Sequence, residues 1–371
     1  MSVGGRLRQS FLRTVLPLIS PFRGCEPCPA RFLPLSGRVA NTVCPDFSVD
    51  VVYTWVDGND PVLAAKRIVH LPPEERRDDD AQGENLFRDN QELRYSLRSL
   101  EMFAPWVRRV FIVTDGQRPA WLEEHPGIRL VDHEEIIPSE YLPTFSSPVI
   151  EAFLHRIPGL GEHYLYFNDD VFLSAPCVPG DFFTPNGLPY LFTDWRRPRR
   201  RGYARAATPH SRSHANVRRY LEERGIRPAP ALITAHGPFA QTRQNSLDAF
   251  AFFSEAVSEF AQDKFRSFRG MAFYCHMVPL WAYALGRGVP CDLPYYYIDV
   301  KRPDRRFYYQ ALLREKTGDF VPFFYCLNDT PSWPGARGWR EDMAAFLAAC
   351  YPEPSAFERP GAPEGGRKER A

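Results

Sequence analysis

Blocks of apolar residues alternate with polar breaks along the first half of the chain, and their periods predict strands separated by helices. Short runs rich in β-branched and aromatic residues predict strands at residues 49–56, 110–114, 128–133, 164–167 and 171–173. Apolar residues at helical spacing predict helices at residues 90–103 and 147–157. Because strands that alternate with helices pair in parallel, we expect an α/β fold with a mainly parallel sheet and helices on both faces.

The second half of the chain is less regular and richer in helices. Its patterns predict helices at residues 214–225, 246–260, 272–285 and 339–350, and strands at residues 291–300 and 321–329.

The ends of the chain differ in composition from its middle. Arg, Pro and Gly are frequent up to residue 45, and Pro, Gly and charged residues after residue 350. We therefore expect a flexible leader at residues 1–45, a single domain at 46–350 and a disordered tail at 351–371. Within the domain, residues 46–195 would form the α/β core and residues 196–350 the irregular half.

Acidic residues follow the predicted strands of the first half. Asp57, Asp115 and Asp132 stand at strand ends, and the pair Asp169–Asp170 follows the run at 164–167. The carboxyl ends of parallel strands meet at one edge of a sheet, where ligands of such sheets bind, so we expect these acids to gather in one crevice. For an isolated Asp-Asp pair, an exposed acidic turn is the alternative. An exposed turn does not explain why acidic residues recur at the ends of several predicted strands.

Charge and cysteine content exclude several classes of protein. The net charge of +1 argues against a protein that wraps nucleic acid or coats an anionic membrane. No apolar run approaches the roughly 18 residues of a membrane span, and no signal peptide is predicted. Eight scattered cysteines do not form the framework of a small secreted domain, so we expect a reducing compartment. Cys25, Cys28 and Cys44 could supply three zinc ligands, but a structural zinc site needs four.

The chemistry of the expected crevice favours a hard cation and a phosphate ligand. Carboxylates with an Asn suit Mg²⁺ or Mn²⁺, which shares its coordination sites with substrate phosphates. The sequence contains neither a GxGxxG dinucleotide motif nor a P-loop, so the phosphates need other cationic partners. Arg88, Arg94, Arg98, Arg266 and the basic loop at residues 195–205 are available. For each arginine the alternative is a solvated surface position.

His236 is the best candidate for a general base, because it follows an apolar segment and stands beside a Gly and a Pro that define a turn. The alternative is a structural histidine. His155, His210 and His214 compete for the same role.

Several motifs in order carry a resemblance to a known family. They are YTWVDGND from residue 53, RDNQELRYSLRSLEMFAPWVRRVFIVTDGQRPAWL from 88, FSSPVIEAFLHRIPGLGEHYLYFNDDVFL from 145, HGPF from 236, KFRS from 264 and CLND from 326. Together they closely resemble the four successive regions of the Stealth proteins. That family includes bacterial capsular polysaccharide phosphotransferases and the catalytic part of the animal N-acetylglucosamine-1-phosphate transferase.

The resemblance implies a Rossmann-like or glycosyltransferase-A-like fold and transfer of a sugar-1-phosphate from a nucleotide diphosphate sugar to a polysaccharide hydroxyl. It makes residues 196–350 the half that meets the acceptor and phosphates. The implied catalytic residues are Asp57, Asp170, His236 and Arg266. We expect the substrate-binding residues to be Asp60, Arg88, Asn90, Arg94, Asn168 and Asn328, and the metal ligands to be Asp169, Asp170 and Asp329. One departure is Gly270, where the family pattern has an acid.

Two other functions remain open on the sequence alone. A metal-dependent glycosyltransferase would use the same carboxylates and sugar nucleotide but release a nucleoside diphosphate. A non-catalytic module would bind anionic polymers through the basic loop. For the enzyme we expect a cytoplasmic location, with peripheral association at the inner face of the membrane left open.

Overall fold

A computed structural model describes residues 45–73, 79–193, 208–226, 234–291, 295–315, 322–330 and 335–363. The predicted leader up to residue 44, the basic loop after residue 193 and the tail beyond residue 363 lie outside the described residues.

In the described residues the chain forms ten strands. They are β1 (Val49–Thr54), β2 (Val110–Thr114), β3 (Ile128–Asp132), β4 (His163–Asn168), β5 (Val171–Leu173), β6 (Tyr190–Phe192), β7 (Phe239–Thr242), β8 (Val289–Cys291), β9 (Tyr295–Asp299) and β10 (Phe324–Asn328).

The same residues form eleven α-helices. They are α1 (Pro61–His70), α2 (Asp79–Gln82), α3 (Glu92–Phe103), α4 (His133–Ile136), α5 (Ser147–Phe153), α6 (Pro209–Glu223), α7 (Arg243–Phe252), α8 (Ser254–Phe260), α9 (Val278–Ala284), α10 (Arg305–Glu315) and α11 (Trp339–Cys350).

The central sheet has five strands in the order β3-β2-β1-β4-β7, and the first four are parallel. β7 runs antiparallel to β4 at one edge. A three-stranded sheet, β5-β10-β9, and a small pair, β6-β8, complete the described strands. The mainly parallel α/β fold predicted from the sequence is therefore confirmed.

Both faces of the central sheet are buried, which explains why its strands are almost continuously apolar. Val52 of β1 belongs to the cluster that packs against α5, α7 and α8, whereas its neighbours Val51 and Tyr53 belong to the cluster that packs against α3. Asp50 is the polar exception in β1. Its carboxylate is fully buried and accepts hydrogen bonds from Arg108 Nη2 at 2.5 Å and from the backbone N–H of Gly161 at 2.7 Å.

The predicted helices at 90–103 and 339–350 are found as α3 and α11, whereas the pattern at 272–285 is interrupted. Residues Phe273–Met277 form a short π-helix before α9 begins. The sequence analysis missed α1, β7 and α10. In α1 the start signals were present, because Asp60 accepts hydrogen bonds from the N–H groups of Val62 and Leu63, and Pro61 occupies the first turn.

The predicted disordered tail is wrong for residues 351–363. Glu358 is 6% exposed and its carboxylate accepts hydrogen bonds from Arg94 Nε at 2.5 Å and from Arg98 Nε at 2.6 Å. Tyr351 is buried in the cluster under α10 and α11. The composition of this segment is typical of a disordered chain, but one buried carboxylate shared by two arginines attaches it to α3.

None of the helices in the described residues is long and apolar enough to cross a membrane.

Candidate active site

The ends of the four parallel strands lie at one edge of the central sheet. Thr54 at the end of β1 pairs with Asn168 at the end of β4, and Thr114 at the end of β2 pairs with Asp132 at the end of β3. A cleft of about 500 Å³ runs along this edge. Most of the residues that the sequence points to lie in its walls: Arg88, Asp115, Asn168, Asp169, Asp170, His236, Arg266, Asn328 and Asp329.

Asp170 is held from one side by β10. Its Oδ2 accepts hydrogen bonds from Asn328 Nδ2 at 3.0 Å and from Cys326 Sγ at 3.3 Å. Its Oδ1 accepts no hydrogen bond from the described residues and lies 3.6 Å from His236 Nε2. Burial alone would raise the pKa of Asp170, but His236, Cys326 and Asn328 together lower it below its usual value. Asp170 is therefore an ionised carboxylate whose buried Oδ1 accepts no hydrogen bond from the described residues.

The pKa of Asp169 is shifted in the opposite direction. Burial and the nearby carboxylates of Glu92, Asp170 and Asp89 hold its pKa well above the usual range. Burial also raises the pKa of Glu92 to about 8 and that of Asp89 to about 6. Like charges this close cannot all ionise without a cation among them. The sequence analysis missed Asp89 and Glu92, although both stand in the RDNQE motif.

His236 is aligned by a chain of hydrogen bonds across β1 and β4. Thr54 Oγ1 lies 3.0 Å from the Tyr166 hydroxyl, which donates to Asn168 Oδ1 at 2.9 Å. Because that bond orients the amide, Asn168 Nδ2 points at His236 Nε2, 3.1 Å away. An amide nitrogen can only donate, so Nε2 accepts, and a neutral imidazole then carries its proton on Nδ1. Asn168, which the sequence analysis expects to bind substrate, lines the cleft and contacts the histidine.

Arg266 enters the cleft from the segment after α8 and contacts the start of α5. Its Nη2 and Nε lie 2.7 Å and 3.2 Å from Ser147 Oγ. One helical turn after Ser147, Glu151 also lines the cleft, and its carboxylate accepts a hydrogen bond from the backbone N–H of Tyr274 at 3.2 Å. Burial raises the pKa of Glu151 to about 7, against the opposing effect of Arg266. The sequence analysis missed Glu151, whose signal was a charged residue within the apolar stripe of a helix.

Asp329 forms ion pairs through both of its carboxylate oxygens. Arg88 Nη1 lies 2.5 Å from Oδ2, and Lys301 Nζ lies 2.5 Å from Oδ1. These pairs neutralise the aspartate and fix Arg88 in the cleft wall. Asp329 thus pairs with two cationic side chains, and its expected role as a metal ligand stays a prediction.

Four of the expected site residues do not line the cleft. Asp57 accepts from Asn59 within its own turn, and Asp60 caps α1. Asn90 donates to Glu92 Oε1 at 2.7 Å, and Arg94 is buried against Glu358. Among the competing histidines, His155 is buried away from the cleft, whereas His210 lines it.

Gly270, which replaces an acid of the family pattern, lines the cleft. Its carbonyl oxygen accepts from Asn216 Nδ2 at 3.1 Å, and a Cβ atom there would lie 3.0 Å from the backbone oxygen of Ser267. A side chain at this position would require the backbone of Ser267 to move by a few tenths of an ångström.

The donor atoms around Asp170 fit a divalent cation. The possible ligand atoms of Asp170, His236 and Cys326 lie within 4.8 Å of one another, but of these three only the Asp170 carboxylate is a ligand that suits a hard cation. The unsatisfied Oδ1 of Asp170 and the adjacent Asp169 supply the oxygen ligands that Mg²⁺ and Mn²⁺ prefer.

Comparison with known proteins identifies the family. Residues 47–68 match conserved region 1 of the Stealth proteins, and residues 86–191 match conserved region 2. A capsular polysaccharide phosphotransferase of Neisseria meningitidis serogroup B is 34% identical over 322 residues, which are 84% of this chain and 85% of that protein. The chain belongs to the Stealth family. The resemblance found in the sequence is therefore confirmed.

Some relatives of this Stealth protein are longer. An exopolysaccharide phosphotransferase of Streptomyces coelicolor is 40% identical over 318 residues, covering 84% of this chain, and this chain spans about half the length of that relative, 53%. Among solved structures, the galactosyltransferase LgtC is similar with a TM-score of 0.41 and 13% sequence identity, covering 81% of this chain and 96% of that chain.

Proposed function

We propose that this Stealth protein transfers a sugar-1-phosphate group from a nucleoside diphosphate sugar to a hydroxyl group of a polysaccharide acceptor, in capsular or exopolysaccharide synthesis. The observation that carries the proposal is the presence of Asp170, His236 and Arg266 in one cleft of a chain whose relatives are named capsular and exopolysaccharide phosphotransferases. Nucleoside monophosphate is the second product.

In the proposed reaction the acceptor oxygen forms a bond to the phosphorus that carries the sugar. The bond from that phosphorus to the bridging oxygen of the diphosphate breaks, and this oxygen leaves with the nucleoside monophosphate. His236 Nε2 takes the proton of the hydroxyl group as it exchanges its hydrogen bond from Asn168 for one from the acceptor. Asp170 Oδ1, 3.6 Å from Nε2, stabilises the imidazolium that results.

Arg266 binds the phosphate oxygens in this proposal. Ser147 orients its guanidinium through Nη2 and Nε, and a planar guanidinium pairs with phosphate through two parallel hydrogen bonds. Arg88, oriented by Asp329, faces the same cleft. Cationic groups that are already oriented stabilise the charge that develops on the transferred phosphate without further reorganisation.

Asp169 and Asp170 would hold a divalent cation, Mg²⁺ or Mn²⁺. When bound, such an ion neutralises charge on the phosphate oxygens. Asn328 and Cys326 support this site, because they hydrogen-bond Oδ2 of Asp170, whereas its Oδ1 accepts no hydrogen bond from the described residues.

The identity of the released nucleotide tests the proposal. Purified protein is incubated with a panel of nucleotide sugars, Mg²⁺ and capsular oligosaccharides, and the nucleotides are separated by ion-exchange chromatography. Release of nucleoside monophosphate is expected, and the Asp170→Asn variant should release none. Release of nucleoside diphosphate would instead identify a glycosyltransferase. Unconsumed sugar nucleotide with bound polymer would identify a non-catalytic module.

A further inference from the structure

The cleft continues beyond the Asp169–Asp170 pair, past the end of β1, to the ends of β2 and β3. Val113, Asp115 and His133 line this part, which we call the distal end of the cleft. From β4 to β3 the sheet order spans three inter-strand spacings, about 14 Å. An extended nucleoside diphosphate can span this separation, with its phosphates at Asp169–Asp170 and its base at the distal end.

The walls between the two ends are apolar. Val56, Leu63, Phe87 and Phe145 line the cleft there, and the last three pack in one buried cluster. Phe145 is held by a stacked contact with Phe265, with ring centroids 5.0 Å apart. Flat apolar walls with a small number of polar groups at one end are the usual environment of a bound aromatic ring.

His133 provides the polar group at that end. It is 6% exposed, and its Nδ1 has no hydrogen-bond partner among the described residues. Burial lowers the pKa of His133 to about 4, so the imidazole is neutral near pH 7. A buried polar atom without a partner costs about 1–3 kcal/mol unless a ligand or water supplies one.

Asp115 stands beside it at the end of β2. Both of its carboxylate oxygens accept hydrogen bonds from Lys66 Nζ at 3.0 Å. This ion pair orients the carboxylate at the cleft wall, and its remaining lone pairs can accept from a hydroxyl group. A ribose that connects a base near His133 to a diphosphate at Asp169–Asp170 passes this carboxylate.

We propose that the distal end of the cleft binds the nucleobase of the sugar donor, with the His133 imidazole hydrogen-bonded to the polar edge of the base. The inference rests on the proposed function and deepens it, because it makes His133 a determinant of which nucleotide the protein accepts. Phosphate affinity and base preference then reside in different residues and can be separated by mutation.

The test is direct binding to the full-length chain by isothermal titration calorimetry in the presence of Mg²⁺. The probes are the uridine, cytidine, guanosine and adenosine diphosphates, together with inorganic pyrophosphate, which has no base. We expect the wild-type protein to prefer one base by tenfold or more. His133→Gln and His133→Ala should each reduce that preference about tenfold while pyrophosphate binds as in the wild type.

His155→Gln is the matched control. His155 is also buried, its Nδ1 also lacks a hydrogen-bond partner among the described residues, and burial likewise lowers its pKa to about 4, but it does not line the cleft. The control should keep the base preference. A wild-type protein that binds all four nucleotides alike, or His133 variants that keep the full preference and bind pyrophosphate normally, would overturn the inference.

These outcomes are distinct from failure of the proposed function. A base preference that depends on His133 while no nucleotide sugar is turned over would uphold the nucleotide subsite and reject the transfer reaction. Monophosphate release with an unchanged base preference in His133→Gln would uphold the transfer reaction and reject the nucleotide subsite.

Discussion

Asn168 Nδ2 lies 3.1 Å from Nε2 of His236, and the same imidazole nitrogen lies 3.6 Å from Oδ1 of Asp170. One imidazole edge therefore faces an amide donor and a carboxylate at the mouth of the cleft. This relationship makes His236 an acceptor in the absence of substrate, and it depends on the Tyr166 hydroxyl that orients the amide.

Replacement of His236 with Ala should reduce kcat by about 10²-fold or more, because the acceptor hydroxyl loses its proton acceptor. The measurement is the rate of nucleoside monophosphate release at saturating donor. His155→Ala, a change of a buried histidine outside the cleft, serves as the control for folding. An unchanged rate in His236→Ala would remove this histidine from the mechanism.

Tyr166→Phe should lower kcat about tenfold, which corresponds to the loss of one orienting hydrogen bond of about 1.4 kcal/mol. Without the hydroxyl, the Asn168 amide can rotate and present its oxygen to His236, which alters the pH–rate profile as well as the rate. Tyr164→Phe is the matched control, because this tyrosine is also fully buried in β4 but bonds Ser246 and Tyr274. Equal profiles for the two variants would refute the role of the Tyr166 hydroxyl.

Asp169→Asn and Asp170→Asn should each abolish metal-dependent turnover and weaken binding of Mn²⁺ measured by calorimetry. The physical reason is that a neutral amide neither binds the cation as a carboxylate does nor offsets the positive charge of the arginines in the cleft. Asp263→Asn removes an acid that pairs with Arg269 at the surface and should change neither quantity. Near-normal turnover in both cleft variants would reject the metal assignment.

Arg266→Ala should lower kcat by about 10²–10³-fold, the range observed when one oriented donor to a developing negative charge is removed. Arg266→Lys should recover only part of this loss, because an ammonium group cannot make the paired contacts of a guanidinium. Steady-state kinetics on the identified nucleotide sugar provides the measurement. A lysine variant with wild-type kcat would show that charge alone matters at this position.

Glu358→Gln should destabilise the protein by about 3–5 kcal/mol, because Arg94 and Arg98 would be left buried without a charged partner. Chemical denaturation at pH 7 checks this value, and Glu353→Gln, an exposed acid in the same segment, is the control. Unaltered stability would show that the pairs contribute nothing net.

The same carboxylate predicts how stability depends on pH. Burial alone would raise the pKa of Glu358, but Arg98, the N–H of Ser355 and Arg94 lower it to about 2. A lowered pKa contributes stability that is fully present above the unfolded value of about 4.3 and is lost as the pH falls toward 2. In Glu358→Gln this part of the acid destabilisation should disappear.

Local patterns in the sequence determined most of the central sheet. Strand β2 and helix α11 were predicted to the residue, because a fully buried parallel strand is continuously apolar and an amphipathic helix repeats with its own period. The acids at the strand ends were predicted to meet because parallel strands end at one edge, and the contiguous Stealth motifs identified the family.

Only the tertiary structure decided which polar residues face the cleft. Arg88 and Arg94 stand six positions apart, yet one faces the cleft beside Asp329 and the other is buried against Glu358. Glu151 and His133 looked like ordinary polar residues, because their importance comes from what surrounds them. A side chain's charge state, partner and access to a ligand depend on contacts between residues far apart in the chain, and those contacts have no period that a sequence pattern could reveal.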